Sequence, residues 1–68
     1  MHPASLTAAR EVLGLTQADL ARILDVNVRT PSRWETGATP IPTVVSKLIV
    51  AALMSQDVRR MLGIKEKE

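Results

Sequence analysis

The stretch LTQADLARILDVNVRTPSRWETG, residues 15–37, decides the fold. Thr16 precedes a run with helical periodicity and Asp19 follows it by three residues, a shortened capping box in which each side chain satisfies an amide that the helix start leaves open. Leu20, Ala21 and Leu24 share one face of that helix, which is expected to end near Leu24. Residues 25–27 read as a tight corner. Asn27, a good capping residue, then opens a segment that reaches Thr36 and is closed by Gly37 in left-handed backbone. Ala21 is small where the two helices cross closely, and Val26 is expected to plug the core at the corner.

Outward from this stretch the punctuation predicts three more helices. The first covers residues 3–13, with Pro3 in the first turn, where its missing N–H costs nothing, and Gly14 after the end. Leu6, Ala9, Arg10 and Leu13 share its inner face, and Leu15 is so short a bridge that the first two helices are expected to pack directly on each other. The fourth runs over about 42–54 with an apolar stripe of Val45, Leu48, Ile49, Ala52 and Leu53. Ser55 caps a fifth over 56–62, with Val58, Met61 and Leu62 inward and Gly63 at its end. Strand signals are missing, since Phe and Tyr are absent and the β-branched residues do not alternate. The expected fold is all-α, a compact five-helix bundle over residues 1–63 with the two-helix motif at about 16–36 and a frayed tail at 64–68.

Composition narrows the function classes. A chain of 68 residues with 46% apolar content has room for one folded domain, whose core supplies only a few kcal/mol. Cysteine is absent and His2 is the sole histidine, so neither disulfides nor a metal site can support it, no cofactor is implied, and dimerisation is the remaining staple. The longest mainly apolar stretch, 41–54, contains Lys47 and falls short of the roughly 20 residues of a membrane span. The N-terminus lacks a signal-peptide pattern, so the cytoplasm is the expected location. No nucleophile and base stand in a recognisable arrangement, so an enzyme is not expected. A net charge of +2 says little about nucleic acid, and the placement of the charges has to decide.

That placement is specific. Two short helices about a three-residue corner, the second carrying Arg29 and Arg33 four apart, match the helix-turn-helix geometry in which the second helix enters the major groove. The run 15–26, continued by Ser32-Arg33-Trp34-Glu35-Thr36-Gly37, resembles the Cro and phage-repressor (XRE-type) family, whose fold is lambda-repressor-like. The resemblance implies a sequence-specific transcriptional regulator, a repressor that binds a palindromic operator in double-stranded DNA as a homodimer. It implies that Val28, Arg29, Ser32 and Arg33 face bases, that Thr16, Gln17, Asn27, Thr39, Thr43 and Lys47 meet phosphates, and that Arg10 and Glu35 form a structural ion pair. Thr39 or Thr43 reads equally well as a helix cap, Trp34 reads as core ahead of base stacking, and two solvated charges are the lesser reading of Arg29 and Arg33. The dimer surface is expected at Val50, Met54, Val58 and Met61, against the reading that all four are core. Antitoxin-like or phage-factor binding by the same bundle is the alternative function.

Two residues depart from the family pattern. Asp25 stands where a left-handed glycine is common, and Pro31 where an aliphatic residue is usual. Pro31 removes a helical N–H and crowds the Asn27 carbonyl, so two frames remain: a reading helix from about Val28, or a late one with Thr30 as cap and Pro31 as its first residue.

Overall fold

The computed structural model describes residues 1–65, and its helices follow in the order α1 (Pro3–Val12), α2 (Gln17–Leu24), α3 (Arg29–Thr36), α4 (Thr43–Met54) and α5 (Gln56–Met61). Among the described residues there is no strand. The helix starts follow from short polar side chains. At α2 the capping box is complete: the Asp19 amide donates to Thr16 Oγ1 at 3.0 Å and the Thr16 amide donates to Asp19 at 2.9 Å. Ser55 caps α5, and the His2 ring accepts from the Ala4 amide at 3.1 Å, a cap for α1. No side chain caps α4, so neither Thr39 nor Thr43 serves there.

Four helix ends use one device. After α1, α2, α3 and α5 the chain enters left-handed backbone at Gly14, Asp25, Gly37 and Gly63, with φ of 73°, 55°, 80° and 77°. In each, two successive amides bond the last free carbonyls: Gly14 to Glu11 and Leu15 to Arg10, Asp25 to Arg22 and Val26 to Ala21, Gly37 to Trp34 and Ala38 to Arg33, Gly63 to Arg60 and Ile64 to Arg59. This is the Schellman arrangement, which reverses the chain without leaving carbonyls unsatisfied. Asp25 alone adopts it with a side chain, at a steric cost of roughly 1 kcal/mol. α4 ends otherwise: Ser55 is extended, and Arg59 reaches back to the carbonyls of Ala52 at 2.9 Å and Leu53 at 3.4 Å.

The core forms two clusters. Leu6, Ala9, Leu20, Trp34, Val45 and Ile49 make the larger; Leu13, Ala52 and Ile64 make the smaller, with Ile23, Val58 and Leu62 packed on it. Leu15 touches both. α1 packs on α3 and α4, α2 on α3, and α5 on α4. The backbones of α1 and α2 are not among the closest helix pairs, but Leu6 and Ala9 of α1 share the larger cluster with Leu20 of α2, with Leu15 packed against it.

Four apolar side chains sit elsewhere than expected. Val26 is 36% exposed, because the left-handed Asp25 sets it on the lip of an apolar groove lined by Leu24, Trp34, Val44 and Leu48 instead of under the corner. Leu53 lies one position round the helix from the buried Ala52 and stays at the margin. Met61 is 74% exposed, since Val58 and Leu62, one turn apart, already cover the contact with α4. Ile64, placed in the tail by the sequence pattern, is buried to 6% as the apolar residue after the Gly63 turn. The packed unit therefore includes Ile64, and residues 66–68 of the expected tail lie outside the described residues.

The burial of Ile64 predicts that Ile64→Ala costs at least about 2 kcal/mol in urea unfolding, whereas a side chain in a loose tail would cost less than about 0.5 kcal/mol. Asp25→Gly is expected to raise the urea midpoint by an equivalent of about 0.5–1 kcal/mol at unchanged slope, because it removes the one left-handed side chain among the described residues.

Candidate nucleic-acid interface

The α2–α3 corner sets where the candidate reading helix points. Val28 already has helical angles, φ −58° and ψ −25°, and the Asn27 side chain accepts from the Arg29 amide at 2.9 Å. Asn27 is therefore the working cap one residue ahead, as its side-chain chemistry suggested. Pro31 is accommodated inside the first turn. The Asn27 carbonyl, which Pro31 cannot bond, accepts instead from the Thr30 amide at 2.9 Å, a tighter i to i+3 turn. Of the two frames, the early one holds. The proline ring is among the most completely buried side chains, so it fills an aliphatic position at the cost of one α-helical bond.

On the outer surface of α3, Asn27, Arg29, Thr30 and Arg33 line one shallow concavity. Arg29 and Arg33 are exposed, and neither makes an ion pair or side-chain hydrogen bond to any described residue. Two uncompensated cations thus stand side by side, one helical turn apart. Val28 is 57% exposed beside them, while Ser32 is half-buried and outside the concavity. Thr30 was not singled out in the sequence; its place next to Arg33 on the helix surface could have marked it. Trp34 is buried in the larger cluster, so its indole ring is not available for base stacking.

The opposite face of α3 is held by a polar network. Arg10 Nε and Nη2 donate to the two oxygens of Glu35 at 2.9 and 3.0 Å, and Nη1 donates to the Leu15 carbonyl at 2.9 Å. Thr7 donates to Glu35 Oε1 at 2.8 Å. Thr7 escaped the sequence reading, although it lies three residues before Arg10 on the same face of α1. The side chains of the ion pair are 14% and 6% exposed. Burial pushes the Glu35 carboxyl up, but hydrogen bonds from Arg10, Thr7 and Gln17 together bring it below its ordinary value. The Asp19 carboxyl is also held low, by the Thr16 amide and hydroxyl.

The remaining candidate residues are spread out. Thr16 and Gln17 stand at the positive N-terminal end of α2, Thr43 is exposed at the start of α4, and Thr39 is half-buried after the Gly37 turn. Lys47 is exposed but borders a separate apolar groove with Met1, Ser5, Val50 and Met54. No group of His, Cys, Asp or Glu among the described residues could hold a metal, and no helix is long and apolar enough to cross a membrane.

A capped helix, a tight corner and a second helix with free cations on its outer face define a helix-turn-helix DNA-binding domain. The helix-turn-helix family of the Cro/C1 type (XRE) matches residues 6–53, from α1 to the end of α4, and the chain belongs to it. No curated protein and no solved structure matches the chain. It is a DNA-binding helix-turn-helix regulator.

The Glu35 network fixes the acid response. A carboxyl lowered in the folded state contributes stability that is complete above the ordinary glutamate value of 4.5 and lost as pH falls through the folded value. Melting temperature is expected to drop on acidification below that value. Glu35→Gln should lower stability at neutral pH by about 3 kcal/mol, by stranding the Arg10 charge, and should flatten the acid limb of the melting curve against pH.

Proposed function

We propose that this chain is a sequence-specific repressor that binds a palindromic operator as a homodimer, with α3 in the major groove. The observation that carries this reading is the pair of guanidinium groups of Arg29 and Arg33 on one exposed helix face, neither paired with any described residue. A cation that the fold leaves uncompensated is free to meet the acceptor edge of a base pair, and arginine does so in a two-bonded fork. Val28 can lie on a thymine methyl and Ser32 can meet a base edge from the flank. Thr16, Gln17, Asn27, Thr39, Thr43 and Lys47 are the proposed phosphate contacts, with Thr16 and Gln17 favoured by the α2 N-terminus.

A bundle about 33 Å long seated in a groove covers close to one turn of duplex, which supports repression by occlusion. The exposed apolar side chains of Val50, Met54 and Met61 support the homodimer, since Met54 is 82% exposed and solvent contact there is unfavourable. Val58, expected with them, packs instead on the smaller core cluster.

Selection from random-sequence DNA tests the whole reading: a two-fold motif with half-sites about one helical turn apart is expected. Arg33→Ala should then lose roughly 1–3 kcal/mol and relax preference at one position, while Gln17→Ala should weaken all sequences alike. Log affinity should fall linearly with log salt; a salt-insensitive interaction with a protein target would favour the interaction-module reading. Sedimentation showing a monomer at micromolar concentration with operator present would remove the homodimer.

A further inference from the structure

Resting on the reading of α3 as the helix in the groove, we infer that its exposed face selects a pair of guanines ahead of adenine, although it carries an asparagine. Each base has a preferred partner in the major groove: arginine for the two acceptors of guanine, asparagine or glutamine for the donor and acceptor of adenine, a carboxylate for the amino group of cytosine, an apolar group for the thymine methyl. The concavity on α3 is lined by Asn27, Arg29, Thr30 and Arg33, and no carboxylate lines it, so the partner for cytosine is missing.

Asn27 is the one candidate partner for adenine, and the fold has already used it. Its Oδ1 accepts from the Arg29 amide at 2.9 Å, and the identity of that atom is fixed, since a backbone N–H requires an oxygen opposite it. Adenine recognition needs the same oxygen to accept while the NH₂ donates in one plane. That oxygen keeps a second lone pair, but a base would have to share an atom whose direction the Arg29 bond already sets, and turning it away would strip α3 of its one N-terminal side-chain cap among the described residues, in a helix whose first turn already lacks the Pro31 bond. What Asn27 still offers outward is its NH₂, a donor. The three nitrogen-bearing side chains of this face therefore all donate, and the base edge in the major groove with acceptors only is guanine's. Hydroxyls of Thr30 and Ser32 can act either way and do not alter this balance. Val28, 57% exposed, supplies an apolar partner for a thymine methyl.

Spacing adds a second constraint. Arg29 and Arg33 lie four residues apart, about 6 Å along the helix, against about 3.4 Å between base pairs on a strand. The two guanines should therefore lie one or two base-pair steps apart within each half-site, with a thymine the permitted addition at the Val28 end.

The test is random-sequence selection with the full chain, followed by titration of the selected duplex with 7-deazaguanine, which lacks the N7 acceptor, at each guanine in turn. Two guanines within two steps are expected, each losing roughly tenfold in affinity on deaza substitution. Arg29→Ala and Arg33→Ala should each abolish the preference at one of them. Asn27→Ser keeps a capping oxygen and deletes the amide; it should leave the selected motif unchanged, with circular dichroism reporting an intact fold. A selected motif with an invariant adenine that Asn27→Ser relaxes would overturn the inference while leaving sequence-specific binding in place. A motif without the guanine pair would overturn it likewise. Binding that enriches no motif at all would instead sink the reading of α3 on which the inference stands.

Discussion

The arrangement of this domain depends on one guanidinium. Arg10 meets both oxygens of Glu35 and the carbonyl of Leu15, so a single planar group joins the last turn of α1, the end of α3 and the link to α2. Removing two charges from water is costly, and a buried pair of this kind is often no more stabilising than an apolar replacement. Its contribution here is directional. A fork with three fixed bonds leaves α3 one angle relative to α1, whereas aliphatic side chains would allow several. Thr7 and Gln17 complete the coordination of Glu35, which leaves the carboxylate well satisfied where little of its side chain meets solvent.

From that anchor the rest of the geometry follows by short steps. Leu15, whose carbonyl Arg10 holds, inserts its side chain between the two core clusters and so couples the motif helices to α4 and α5. Trp34 locks the inner side of α3 against α4, one residue before Glu35. With one side fixed by a salt bridge and an indole, the other side of an eight-residue helix has nowhere to face but solvent. The exposure of Arg29 and Arg33 is thus a consequence of what their neighbours bury.

How much of this could be read from the residues depended on whether the cause was local. The capping box at Thr16 and Asp19, the Gly37 stop and the pairing of Arg10 with Glu35 were legible because sequence spacing, or the family resemblance, carries them directly. The positions of Val26, Leu53 and Met61 were not, because hydrophobicity marks a residue as fit for a core without saying whether a neighbour has already filled the place. Ile64 was legible in principle: an apolar residue directly after a helix-ending glycine is what the Schellman turn uses as a pin, and Leu15 does the same after Gly14. Pro31 hid the start of α3, since a proline that removes a bond looks like a break until the Asn27 carbonyl is seen bonded to Thr30. The clustering of Asn27 with the arginines was beyond sequence reasoning, which ranks positions on an ideal helix and cannot place a tightened first turn.

Among the described residues, Arg29 and Arg33 make no ion pair or side-chain hydrogen bond, and Val28 covers no core. On the proposed reading of α3, changing them would alter which nucleotide text is preferred without disturbing the frame that presents them, so a lineage could acquire a new address through a few surface substitutions. The capping asparagine is the exception: it belongs to frame and face at once, and drift there is constrained twice over.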